Sequence, residues 1–488
     1  MKKIIVIYDD SMMPEAEIGT ITGQKSYGDT IFKRVTLKNR MKEAMETQKA
    51  VVDFLVYRKE SDQIAIFDYL TKVGNDTAVL HLYSNFAKGN AAEFDGLLTK
   101  ASYLNRSYVA TCGEKPAMVL FDTVGSYKDA FEQVISRLYQ ADEIVITSAF
   151  TDLSIRANFL TFITGGFDAR FFNALEGDAY TVTKKSSKKD KIKSEYDFYY
   201  LLPDHMKMWF VQPYDYQEEK EFASYTMERF HMTDIAIRFV HGAVSVSELQ
   251  DILDKLFYFV KQRQRKKVDA KESLKVAREL YVDKLLARMA DLKKLPEYAQ
   301  FDNMIRMGTK YDSIDQITET YLLLFEKLCP LQKGVSYEGN KEFALAVGHG
   351  DMCFSNILYN REASILKLID PKGAQTEDEL YTDPYYDLAK LSHSICGCYD
   401  FFNSGLYQIS IDRDLKLCLT IDTKPEEYIA LFRGYLEKNG YDYVLVRLYE
   451  AGLFLSMLPY HMDQPGKVFG FLLNAIRILD EVEKCTRI

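Results

Sequence analysis

The stretch Val347-Gly348-His349-Gly350-Asp351-Met352-Cys353-Phe354-Ser355-Asn356-Ile357-Leu358-Tyr359 decides how this chain is read. It has the form H-G-D-x-x-x-x-N and runs straight into an apolar strand. Four fixed positions arise by chance on the order of a few times per thousand chains of this length, so the flanking sequence matters. After Asn356 come one apolar run, a turn at Asn360-Arg361-Glu362, and a second apolar run Ile365-Leu366-Lys367-Leu368-Ile369 that ends in Asp370. A hairpin of this kind brings Asp351, Asn356 and Asp370 towards one end. Transfer of a phosphoryl group needs a carboxylate for the attacking hydroxyl and hard oxygen ligands for a divalent cation, and these three residues are of those types.

The same residues resemble the kinase-like small-molecule phosphotransferases, the family of aminoglycoside phosphotransferases and choline kinases, whose catalytic loop reads H-G-D-x-x-x-x-N. The resemblance implies ATP as donor, Mg²⁺ as cofactor and a small-molecule hydroxyl as acceptor. It makes Asp351 the catalytic base and Asn356 and Asp370 the metal ligands, with His349 a structural residue of the loop. The segment Asp370-Pro371-Lys372-Gly373 departs from the D-F-G of protein kinases, and only twelve residues separate Asp370 from Asp383, too few to bind a peptide. Further on, Asp383-Pro384-Tyr385-Tyr386-Asp387-Leu388-Ala389-Lys390 matches the family's D-x-x-x-D-L-A element, in which the second Asp buttresses the catalytic loop.

Upstream, the sequence predicts a small antiparallel meander: strands Asn158 to Thr164 and Phe167 to Ala174 around Gly165-Gly166, a turn at Glu176-Gly177-Asp178, and a third strand Ala179 to Lys185. Gly165 and Gly166 would let backbone amides approach phosphates. Alternation along the third strand puts Lys184 on the face of Val182, making it the candidate phosphate-binding lysine, with Lys185 as its rival. Glu195, in a short helix expected over Ser194 to Leu202, stands where kinases place the acid that orients this lysine. Two more β-prone runs follow, Met208 to Val211 and Phe222 to Met227. By resemblance, Met227, Glu228 and Phe230 fall in the linker that presents backbone groups to adenine. Beyond about Met232 the pattern is mainly helical, with Ser245-x-x-Glu248 as a capping box before Leu249, Ile252, Leu253, Leu256 and Val260. Tyr385, Tyr386, Tyr399, Phe401 and Phe402 are either a cage for an ammonium group or sugar, or core.

Residues 1 to 150 alternate strands (Ile4 to Tyr8, Val51 to Tyr57, Val79 to Tyr83, Met118 to Phe121, Ile144 to Thr147) with amphipathic helical stretches, which predicts an α/β domain with a mostly parallel sheet. A loop of about twenty residues from Asp9 to Thr30 follows the first strand, a common ligand position. The domain is faintly similar to sugar-nucleotide nucleotidyltransferases, without their Gly-rich signature, and with Ser84-Asn85 where a metal-binding Asp would be expected. Expected boundaries are therefore 1–150 for this domain, 151–231 for the kinase-like N-lobe and 232–488 for the helical C-lobe with the acceptor site, a bilobal α+β arrangement.

Composition bounds the rest. The 488 residues exceed one domain, and 47% hydrophobic with 27% charged is ordinary for a folded protein. A formal charge of −9 gives no global attraction to nucleic acid. No apolar run approaches the roughly 20 residues of a membrane span, and seven unpatterned cysteines fit a reduced, cytoplasmic setting. The expected activity is ATP- and Mg²⁺-dependent phosphorylation of a choline-like amine alcohol or a sugar, with a role in surface-polysaccharide precursors implied by the pairing of domains. The alternatives are a bifunctional kinase and nucleotidyltransferase, or a nucleotide-binding scaffold.

Overall fold

Two runs that are apolar from end to end, Ile4–Asp9 and Ala78–Tyr83, are buried at every position, as strands covered on both faces must be. They lie inside a six-stranded sheet of order Val51–Tyr57, Ile4–Asp9, Ala78–Tyr83, Lys115–Phe121, Tyr108–Cys112, Ile144–Ile146. The computed structural model describes residues 2–32, 34–103, 106–164, 173–177, 180–332, 335–337 and 340–486. The chain divides into two units, residues 1–166 with 241–243, and residues 167–240 with 244–488.

In the first unit Ile4–Asp9 is parallel to both neighbours. Lys115–Phe121, however, is antiparallel to both of its own, and Ile144–Ile146 runs parallel to Tyr108–Cys112. The sheet is thus mixed, where the sequence predicts a mostly parallel one. The cause is local: Cys112 pairs with Lys115 across a two-residue turn in which Gly113 has φ +61°, and this hairpin strand Tyr108–Cys112 escapes the sequence reading. The unit also extends past the expected boundary at 150, because Phe150–Asp152 pairs with Phe86–Lys88. The run expected as strand Asn158 to Thr164 is the helix Arg156–Ile163, which buries Phe159, Leu160 and Ile163 on one side. Short apolar runs do not distinguish strand from helix by periodicity. The expected loop from Asp9 to Thr30 contains the helix Ala16–Thr22.

The second unit opens with a four-stranded antiparallel sheet, in order Asn173–Gly177, Thr181–Ser186, Ala223–Glu228, Pro213–Glu218. The last of these stands in place of the expected strand Met208 to Val211. It is an edge strand that begins with Pro and carries exposed polar residues, which hid it from a hydrophobicity reading. Trp209 and Phe210 instead enter the hydrophobic core. The helix after Thr181–Ser186 runs Lys189–Leu201, starting five residues before its expected start. Its lysines form a solvated face, with Lys191–Glu195 at 3.5 Å and Lys193–Asp197 at 2.8 Å supporting successive turns.

The remainder is mainly helical around one core. Ser245 caps Val246–Gln262 through the Glu248 N–H at 3.2 Å, and Leu249, Ile252, Leu253, Leu256 and Val260 are buried as expected. The Glu248 carboxylate does not close the box: it binds Arg238 at 2.6 and 3.0 Å. Among the described residues no helix is long and apolar enough to cross a membrane.

Candidate active site

The hairpin Ile357–Asn360 with Ile365–Leu368 forms as the sequence predicts, in the register Ile357 to Leu368 and Asn360 to Ile365. Its open end, away from the turn, fixes two site residues, because the Ile369 N–H donates to the Asn356 carbonyl at 3.0 Å. Asp370 follows with φ +55°, a left-handed conformation uncommon for a residue with a Cβ and one that clusters at functional sites.

The loop before the hairpin is held from below by one buried carboxylate. Asp387 accepts the His349 N–H at 3.0 Å and the Gly350 N–H at 2.8 Å, and is itself paired with Arg263 at 3.2 Å. Arg263 also donates to the Pro384 carbonyl at 3.0 Å. Each of the groups is almost wholly buried, so each neutralises a charge or satisfies a donor that would otherwise be costly. His349 acts as a strut: its Nε2 donates to the Ile369 carbonyl at 2.8 Å while its Nδ1 accepts the Asp351 N–H at 3.1 Å. Both ring nitrogens are thereby used, which leaves no site for acid or base chemistry.

Asp351 stands at the loop's open edge with its side chain 43% exposed. One carboxylate oxygen meets Lys390 Nζ at 2.9 Å; the other accepts from Asn356 Nδ2 at 3.1 Å. Burial pushes its pKa up, but the Lys390 ammonium outweighs this and holds the carboxyl below its ordinary value. Asp351 is therefore ionised at neutral pH. Asn356 Nδ2 also donates to the Asp351 carbonyl at 2.8 Å, which turns the amide oxygen the other way.

Lys184, on Thr181–Ser186, bridges Glu195 at 2.6 Å and Asp370 at 2.9 Å, while Lys185 lies 3.2 Å over the Phe222 ring. Strand alternation separates the two lysines, so only Lys184 meets the Asp370 carboxylate. Burial lowers the Lys184 pKa, yet Asp370 and Glu195 together raise it above the ordinary value. Tyr225 donates its hydroxyl to Glu195 at 3.0 Å, fixing the carboxylate from the adjacent strand. Gly373 has φ +90°, and a Cβ there would lie 2.7 Å from the Ser194 carbonyl carbon, so glycine lets this segment lie against the helix at Glu195. The Ala374 N–H seals that contact on the Ser194 carbonyl at 3.0 Å.

Gly165 and Gly166 lie outside the described residues. Met227 and Glu228 close the strand Ala223–Glu228 opposite Val182 and Thr181, and Phe230 follows in the segment leading to helix Ile235–Val240. Tyr385, Tyr386, Phe401 and Phe402 are core residues at 4% exposure or less, so they do not form an open aromatic cage. Sequence reasoning missed three site residues: Lys390, Tyr225 and Arg263. The signal for Lys390 lay in the motif itself, one position after D-x-x-x-D-L-A. Tyr225 and Arg263 are brought in from distant positions and carried no local signal.

Among the described residues no group of three or more His, Cys, Asp and Glu can hold a metal. The pair Asn356 and Asp370 nevertheless fits Mg²⁺, which takes one or two protein oxygens and completes its shell with water and substrate phosphates. In the first unit, by contrast, the acids that follow the first strand are engaged by the protein itself. Asp10 accepts from Ser26 at 2.7 Å and the Gly28 N–H at 2.7 Å and pairs with Arg58 at 3.0 Å, while Asp9 binds Ser11 at 2.6 Å and His81 at 3.3 Å.

No protein-family model and no curated protein matches the chain. Solved structures do. A thermostable mutant of aminoglycoside phosphotransferase APH(4)-Ia, in a ternary complex with AMP-PNP and hygromycin B, aligns with a TM-score of 0.39 at 10% identity, over 67% of this chain and 98% of that one. Aminoglycoside phosphotransferase APH(3'')-Id from Streptomyces rimosus, with ADP and streptomycin, gives 0.34 at 14% identity, over 62% and 97%. A putative fructosamine-3-kinase from Haemophilus somnus gives 0.33 at 12% identity, over 63% and 88%. The chain is similar in structure to these small-molecule phosphotransferases.

Proposed function

We propose that the protein transfers the γ-phosphoryl group of ATP to a hydroxyl of a small molecule. One observation carries this reading: Lys184 is held between Glu195 and Asp370 while Asp351 and Asn356 stand on the loop joined to Asp370 by the hairpin. A scaffold that merely bound nucleotide would have no need of an ionised Asp351 beside two oxygen ligands. Asn356 and Asp370 would hold Mg²⁺, which would neutralise charge on the phosphates.

In this reading Lys184 binds the donor phosphates, and its pairing with Glu195 and Tyr225 prevents it from swinging away. Asp351 orients the acceptor hydroxyl and accepts its proton as the oxygen attacks. Met227, Glu228 and Phe230 present backbone groups to the base of the nucleotide. Most of the rate enhancement comes from positioning and fixed charge, since the protein forms no covalent bond. The acceptor candidates from the sequence are an amine alcohol or a sugar, and a role in surface-polysaccharide precursors follows if a sugar is the acceptor.

The test is transfer from γ-labelled ATP to a panel of alcohols, with Asp351→Asn in parallel. The expected result is one labelled acceptor class and a loss of about 10²–10⁴ in kcat for the variant, the range of a general base. Equal labelling by both proteins would refute the assignment of Asp351.

A further inference from the structure

The side chains around Asp351 distinguish classes of acceptor. One carboxylate oxygen faces Asn356, on the side of Asp370 and the donor phosphates. The other faces Lys390 at 2.9 Å. Lys390 and Tyr386 are one helical turn apart on Tyr386–Ile395, on the same face. The Tyr386 hydroxyl accepts from Lys284 Nζ at 3.2 Å, and that ammonium lies 5.6 Å from the ring centroid. Lys284 opens the helix Lys284–Leu292 and is exposed, so its charge reaches solvent. Among the described residues Lys284 makes no ion pair: Tyr386 is its hydrogen-bond partner. Lys390 at the base and Lys284 at the surface thus flank Tyr386, which is hydrogen-bonded to Lys284.

The buried acid nearby does not reverse this sign. Asp400 is buried in the protein, and burial raises its carboxyl to about 7. The Tyr386 hydroxyl records the local field: burial pushes its pKa up, yet Lys390 and Lys284 bring it below the ordinary phenol value. Of the aromatic residues that could have caged an ammonium group, Tyr385, Tyr386, Phe401 and Phe402 are packed into the core and only Tyr399 is partly exposed. A cationic acceptor placed here would meet the Lys284 ammonium, with Lys390 already paired to Asp351.

We infer that the acceptor is an anionic alcohol, a hydroxy acid or a phosphorylated polyol or sugar, whose carboxylate or phosphate is bound by Lys284 while its hydroxyl lies between Lys390 and Asp351. The inference rests on the kinase reading and names the substrate class of that site. In the reaction the acceptor oxygen forms a bond to the γ-phosphorus. The bond from that phosphorus to the β–γ bridging oxygen breaks with its electron pair leaving on ADP, and the hydroxyl proton passes to Asp351.

The experiment uses the full chain, Mg²⁺ and γ-labelled ATP with three sets of acceptors: glycerate, glycerol 3-phosphate and glucose 6-phosphate; choline, ethanolamine and kanamycin; glycerol and glucose. ADP binding is measured separately by calorimetry. The expected result is labelling confined to the anionic set. Lys284→Met then raises KM for that acceptor about 10- to 100-fold, the scale of one lost charge-assisted hydrogen bond, with KM for ATP unchanged. Lys284→Arg restores most of the affinity, which a purely structural role for the lysine would not predict. Labelling of an amine or a neutral alcohol in preference to the anions overturns the inference, as does ADP binding with no anion labelled. Failure of ADP to bind refutes the kinase reading itself.

Discussion

Two groups of acidic residues, one at the end of the first strand and one at the catalytic-type loop, show what separates architecture from a site. Asp9 and Asp10 have side chains 2% and 0% exposed, and serines, a glycine amide, a histidine and an arginine satisfy them. Gly28 is part of that fit, because a Cβ there would lie 2.6 Å from the Asp10 carboxylate. Asp351 and Asp370 also have cationic partners, yet their side chains stay 43% and 49% exposed. Both groups are therefore partnered, but only the second offers oxygens to something outside the protein. Buried acids that are fully paired fix a loop; half-exposed acids on a rigid hairpin can act.

The comparison breaks most visibly at Lys184. Removing this cation by Lys184→Met leaves the buried Glu195 with only the Tyr225 hydroxyl at 3.0 Å and Lys191 at 3.5 Å, a change expected to destabilise the protein by about 2–4 kcal/mol. It should also raise KM for ATP. Urea unfolding with parallel kinetics checks both, and an unchanged unfolding midpoint would mean that the Lys184–Glu195 pair does not hold in solution.

Asp10→Asn sharpens the contrast from the other side. It weakens the contacts to Ser26, Gly28 and Arg58 and should cost about 1–3 kcal/mol, the scale of a compromised buried acceptor, while kcat for phosphoryl transfer stays the same. Loss of activity with stability intact would instead make Asp10 a functional residue.

The smallest effect concerns acid. Burial raises the Asp9 carboxyl, but hydrogen bonds and charge from His81, with those from Ser11, outweigh it and leave the folded pKa depressed. A group of this kind stabilises the fold fully above its unfolded value of about 3.9, and the contribution disappears as pH falls through the folded value. Thermal unfolding followed by circular dichroism should thus show a steeper acid loss in the wild type than in Asp9→Asn below about pH 4. Identical acid limbs would indicate that Asp9 titrates as an unperturbed carboxyl.

Much of the chemistry was legible in local sequence because it lies within short spans. Asp351, Asn356 and Asp370 belong to one loop and one hairpin, whose two apolar runs and intervening turn are contiguous in sequence. The central strands Ile4–Asp9 and Ala78–Tyr83 were legible for a similar reason, since a strand buried on both faces is apolar throughout. The elements misread were those whose side chains suit more than one structure. Phe159, Leu160 and Ile163 fit a strand or a helix face, and Pro213–Glu218 gains its strand character only by pairing with Ala223–Glu228.

The sequence by itself determined the hairpin, the residue types at positions 351, 356 and 370, and the alternation that puts Lys184 and Lys185 on opposite faces. Tertiary structure decided which lysine meets Asp370, that Asp387 and Arg263 support the loop, that Lys390 meets Asp351 and that Lys284 meets Tyr386. The physical reason is range. Turn geometry and side-chain periodicity act over a few residues, whereas a charge acts on whatever the fold brings within several ångströms of it, however distant in the chain.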